Sequence, residues 1–84
     1  MNAVSLIGTL TDDPELQEGR CTLRLAVPRR SRDGRRFPGV VYVTVESAGA
    51  EAQECAALVQ GARMGLAGRL DDAGNVLLDQ LDAL

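Results

Sequence analysis

An all-β fold is what this sequence predicts: a five-stranded barrel with one helix between its third and fourth strands. Three observations predict it. Short segments alternate with a period of two, the spacing of a half-buried strand. Pro, Gly and Asp clusters interrupt those segments at regular intervals. One stretch of helical spacing falls after the third strand, in a chain of only 84 residues.

The first strand covers residues 2–10. Asn2, Val4, Leu6, Gly8 and Leu10 share one face, and Ala3, Ser5, Ile7 and Thr9 share the other. Asp12-Asp13-Pro14 ends it, because proline donates no N–H and restricts the residue before it. The second strand covers residues 21–27, with Cys21, Leu23, Leu25 and Val27 opposite Thr22, Arg24 and Ala26. Residues 28–39 hold five Arg, two Gly and two Pro and are expected to form a loop or exposed hairpin tip. The third strand, VVYVTVE over 40–46, is dense in β-branched residues. Val41, Val43 and Val45 alternate there with Tyr42, Thr44 and Glu46.

Ser47 has the chemistry of a helix N-cap, and Glu51 suits a first turn. Ala48, Ala52, Cys55, Ala56 and Val59 repeat at helical spacing, and Gly61 stands where a C-terminal glycine cap belongs. The fourth strand covers 62–70, with Met64, Leu66, Gly68 and Leu70 on one face. Asp71 to Asn75 is a tight turn, and residues 76–82 form the fifth strand. The order β-β-β-α-β-β suits the oligonucleotide/oligosaccharide-binding (OB) barrel, whose second and third strands and flanking loops bind ligands.

A single OB domain over residues 1–84 buries a small core, and oligomerisation is the expected supplement. Two cysteines and no histidine argue against a zinc site, which wants about four ligands. The missing histidine also removes the commonest general base. With no nucleophile–base pair and no Gly-rich phosphate loop, neither an enzyme nor a cofactor is expected. Cys21 and Cys55 are expected as small core residues without a disulfide. No run of about 18 apolar residues suggests a membrane span, no basic leader is visible, and a cytoplasmic location follows as the expectation.

All nine basic residues are Arg, on a chain of net charge −3. Their distribution says more than the total. Residues 1–19 carry −4, residues 20–36 carry +6, and residues 37–84 carry −5. One basic segment on an acidic chain can mark a polyanion site. Arg24, Arg29, Arg30, Arg32, Arg35 and Arg36 are the candidate phosphate contacts, since guanidinium groups pair bidentately with phosphate. Tyr42 and Phe37 are the candidate base-stacking groups, with cross-strand or subunit packing the alternative for Tyr42 and cover of the barrel end the alternative for Phe37. For Arg63 and Arg69, a salt bridge to Glu46 or Asp79 competes with a nucleic-acid contact.

The opening MNAVSLIGTLTDDPEL resembles the M-N-x-V-x-L-x-G-x-L-x-x-D-P-E start of bacterial single-stranded DNA-binding proteins. Leu23 to Val27 resembles that family's second strand, and the segment from Ala50 to Gly61 its helix. Gly61 to Leu70, ending Gly68-Arg69-Leu70, resembles its fourth strand. The resemblance implies binding of single-stranded DNA with little sequence preference, in replication, recombination or repair. It also implies a homo-oligomer, dimer or tetramer, assembled through the first strand by Ala3, Ser5 and Ile7.

The departures point elsewhere. The family stacks bases on several aromatics, and this chain has one Tyr and one Phe. Ser31 stands in the second-to-third loop and Val40 at the start of the third strand, at places where the family often carries aromatics. The hairpin between the fourth and fifth strands is short. The acidic, phenylalanine-ended tail is missing after Leu84, so recruitment of replication partners through such a tail is not expected. An alternative is therefore a homologue with weak or lost DNA binding that serves as an interaction or assembly subunit.

Overall fold

The computed structural model describes residues 2–30 and 36–84, with the side chains of residues 29, 30 and 36–38 outside the description. The elements are β1 (Val4–Leu10), β2 (Glu15–Gln17), β3 (Arg20–Arg30), β4 (Arg36–Ala48), α1 (Ala50–Ala56), β5 (Arg63–Leu70) and β6 (Val76–Ala83). The sheet runs β1-β5-β6-β4-β3-β2 and closes through β1–β3 pairs, Thr9↔Ala26 and Leu10↔Leu25. Five strands form the predicted OB barrel, with α1 between its third and fourth. Among the described residues, no helix is long and apolar enough to cross a membrane.

Period-two alternation becomes inside and outside. Leu10, Leu23, Leu25, Val45, Met64 and Val76 are fully buried, and α1 adds Ala52 and Cys55 to the same core. Cys21 and Cys55 are both free and buried. Desolvation pushes both thiols above their ordinary range, though a hydrogen bond with Ser47 opposes this at Cys55. They are therefore thiols rather than thiolates, packed as apolar side chains.

The sixth strand, β2, is absent from the sequence-based expectation. It pairs with β3 through Glu15↔Thr22, Leu16↔Cys21 and Gln17↔Arg20. Its turn is Glu18-Gly19, with φ of 52° and 76°. Two positive φ values are what a two-residue type I′ hairpin requires. All three β2 residues are exposed, so no apolar alternation marked it.

The helix differs at both ends. Ser47 does not cap it. β4 continues to Ala48, opposite Arg20, and the buried Ser47 hydroxyl donates to the Cys21 carbonyl at 3.2 Å. Strand pairing thus overrides the capping preference, and α1 starts after Gly49, at φ 66°, with no side-chain cap. It stops at Ala56, short of Gly61. The chain then turns, with Leu58 N–H donating to Cys55 and Ala62 N–H to Val59, while the Gly61 N–H donates to Leu10. Val59 consequently lies 65% exposed, and Leu58 packs against the core in its place.

The segment predicted as a loop or hairpin tip is largely strand. β3 and β4 stay paired through Pro28↔Val40 and out to Arg30↔Arg36, with an irregularity after Pro28. Proline's missing N–H accounts for that break in the ladder. The result is a long arm, in a molecule whose overall extents are 42 × 30 × 20 Å.

Candidate nucleic-acid interface

The outer face of β3 and β4 is built by alternation. Thr22, Arg24 and Ala26 point away from buried Cys21, Leu23 and Leu25, and Tyr42, Thr44 and Glu46 do the same on β4. Register places Ala26 opposite Tyr42, Arg24 opposite Thr44 and Thr22 opposite Glu46. Arg24 is thus the diagonal neighbour of Tyr42. Its guanidinium carbon lies 5.4 Å from the ring centroid, within cation–π range. Tyr42 is 58% exposed, because Ala26 across the ladder is too small to cover it. The Thr11 N–H donates to the Arg24 carbonyl at 2.9 Å and fixes the backbone below the pair.

Of the sequence-predicted contacts, Arg24 and Tyr42 are therefore brought together. Arg29 and Arg30 belong to β3, and Arg36 and Phe37 to β4, with their side chains outside the described residues. Arg32 and Arg35 lie outside the described residues altogether.

A second part of this face decides between the two partners the sequence offered Arg69, Glu46 and Asp79. Register lines up Thr22, Glu46, Leu77 and Arg69 as one row across β3, β4, β6 and β5. Between Ala67↔Gln80 and Gly68↔Leu78 the β5–β6 ladder slips, leaving Asp79 as the extra residue of a bulge. Bulges re-aim side chains. Here the Asp79 carboxylate accepts both Nε and Nη2 of Arg69 at 3.2 Å each. The bulge also explains Gly68: a Cβ there would run into the Leu77 carbonyl and come within 2.9 Å of Val76 Cγ1. Arg63 is exposed on the same strand, and its carbonyl accepts the Leu84 N–H.

Ser5 and Ile7 occupy the outward side of β1, with Ala3 just before the strand, all exposed and Ile7 at 54%. Ser5 pairs with Ala67 and Ile7 with Gly65, so small neighbours leave Ile7 standing over a shallow hollow of about 550 Å³. Among the described residues, the opposite edge of β1 has strand partners only at Thr9 and Leu10.

No protein-family model matches the sequence, and no curated protein matches it. Solved structures match the fold. A small single-stranded DNA-binding protein from Streptomyces coelicolor superposes with a TM-score of 0.78 at 19% identity, covering 100% of this chain and 95% of that one. A deletion mutant of the single-stranded DNA-binding protein from Thermus aquaticus gives a TM-score of 0.74 at 24% identity, covering 100% of this chain and 41% of that one. The barrel is therefore similar to theirs over its whole length.

Proposed function

We propose that this chain binds single-stranded DNA without covalent chemistry and with little sequence preference. The observation that carries the reading is the exposed Arg24–Tyr42 pair at the root of the arginine-rich arm. A ring offers a stacking face that every base can use. The arginines at 24, 29, 30, 32, 35 and 36 supply attraction to phosphate and release counterions on binding. Phe37 adds a second stacking group. The fold shared with two single-stranded DNA-binding proteins supports the same reading.

The chain assembles as a dimer or tetramer through the β1 face carrying Ala3, Ser5 and Ile7. Ile7 would otherwise leave apolar surface in water, and the open β1 edge would remain available for pairing. A two-fold pairing meets both needs.

The test is a titration of a dye-labelled oligothymidylate at several salt concentrations, read by fluorescence anisotropy. With three or four phosphates neutralised, log K falls against log[salt] with a slope of roughly −2 to −3. A second reading, an assembly subunit with little DNA affinity, is favoured by the exposed β1 face and the scarcity of aromatics. Oligomer formation without DNA retention at low salt selects it.

A further inference from the structure

The row Thr22–Glu46–Leu77–Arg69 ends in a shallow groove of about 220 Å³, with Arg20 and Arg69 at its sides and Glu46 and Leu77 lining it. We infer that this groove takes a nucleobase of the bound strand, stacked on the Arg69 guanidinium that Asp79 holds flat. The inference rests on the single-strand reading above and assigns that face a second stacking platform.

Charge argues for a base here rather than a phosphate. Two guanidiniums, Arg20 and Arg69, meet two carboxylates, Glu46 and Asp79, so the surroundings are close to neutral. A phosphate placed there gains from the arginines and loses to the acids. A base has no charge to lose. It gains apolar contact with Leu77, which is half-buried, and a planar cation to stack upon.

Preorganisation argues for Arg69 in particular. Both Nε and Nη2 are engaged by one carboxylate, which fixes the plane of a side chain that would otherwise carry much rotamer freedom. The pair is nonetheless open to solvent, at 57% for Arg69 and 49% for Asp79. An exposed ion pair contributes little to stability, so folding alone does not account for the bulge that aims Asp79. In a chain with two aromatics, a clamped arginine supplies a stacking surface of another kind.

The position fits a continuous path. Tyr42 and Glu46 are four residues apart on β4, roughly 13 Å, and two strand spacings, roughly 10 Å, carry the row from Glu46 to Arg69. A single strand stacked on Tyr42 reaches Arg69 within a few nucleotides.

The experiment compares the unmodified chain with Arg69→Lys, Arg69→Ala and Asp79→Asn on labelled oligothymidylate across salt. An abasic oligonucleotide of equal length serves as the second ligand, and thermal melts confirm that each variant is folded. On the stacking reading, Arg69→Lys and Arg69→Ala weaken thymidylate binding alike, by roughly five-fold or more, without changing the salt slope. Asp79→Asn also weakens it, and none of the three alters binding of the abasic strand. Retained affinity in Arg69→Lys with a flatter slope in Arg69→Ala makes Arg69 a phosphate contact and overturns the inference. Tighter binding by Asp79→Asn overturns it as well. Indifference to all three variants, in a chain that binds DNA, overturns this inference alone. An unmodified chain that binds no oligonucleotide at low salt overturns the single-strand reading along with it.

Discussion

Arg24 covers one side of the Tyr42 ring while Ala26, directly across the ladder, leaves the rest of it in solvent. Charge and stacking therefore meet at one point and can be separated there. Tyr42→Ala is expected to weaken oligonucleotide binding by about 1–3 kcal/mol and leave the salt slope intact. Arg24→Ala is expected to lower the slope by about 0.7, the share of one phosphate on a single strand. Anisotropy titrations at three salt concentrations check both. If Tyr42→Ala dissociates an oligomer instead, its ring serves packing.

The arm carries most of the charge. Replacing Arg29 and Arg30 together by Ala is expected to weaken binding and reduce the slope by about 1.4, twice the share of a single phosphate. An unchanged slope would place both side chains away from the strand.

Ile7→Glu is expected to lower the oligomeric state, measured by light scattering at micromolar concentration. The substitution places a carboxylate on the outer face of β1, where it does not disturb the core. DNA binding weakens with it, because joined sites act at high effective concentration. A monomeric unmodified chain under the same conditions would sink the proposed interface.

Gly68→Ala is expected to destabilise the fold by about 1–3 kcal/mol or more, since the new methyl meets the Leu77 backbone rather than a side chain that can turn aside. Gly65→Ala is the control. Its nearest neighbours stand at 3.9 Å, in ordinary contact. Urea unfolding of the two variants should therefore differ clearly.

Alkaline pH offers another handle on the fold. Burial raises the Cys21 and Cys55 thiols above their values in the unfolded chain. The unfolded chain then loses these protons first. The stabilisation is complete below the ordinary thiol range and is lost as pH rises through it towards the raised folded values. Denaturation midpoints should fall above about pH 9, and a Cys21→Ala, Cys55→Ala double variant should show a shallower alkaline decline. Both thiols should also resist alkylation until the chain unfolds.

The barrel strands were legible because each buries one face, so Leu23, Leu25, Val45, Met64 and Leu66 imprint their spacing on the sequence. β2 was not, since a fully exposed strand carries no such imprint; the only local trace was Glu18-Gly19, a pair able to make a tight turn. Ser47 misled because capping is a local preference and its strand pairing is set by a residue 26 positions earlier, Cys21. At the candidate site, outward alternation found Arg24 and Tyr42 separately. Their contact depends on the β3–β4 register, which no local pattern encodes. The Arg69–Asp79 pair was one of two named possibilities, and the bulge that decides it is equally a property of pairing.

β4 meets β6 in parallel through two residue pairs, Val45↔Val76 and Glu46↔Leu77, whereas β3 accompanies β4 from Arg20↔Ala48 out to Arg30↔Arg36. That junction and the β1–β3 closure, also of two pairs, are the two thin seams of the barrel. Together they separate a β3–β4 half from a β1–β5–β6 half, and local opening along them costs fewer bonds than opening within either half. A strand lying from Tyr42 to Arg69 crosses the β4–β6 seam and bridges both halves. Ligand is then expected to act as a suture: the backbone amides of Val76 and Leu77 should exchange with deuterium more slowly when DNA is present, by more than those in the middle of the arm.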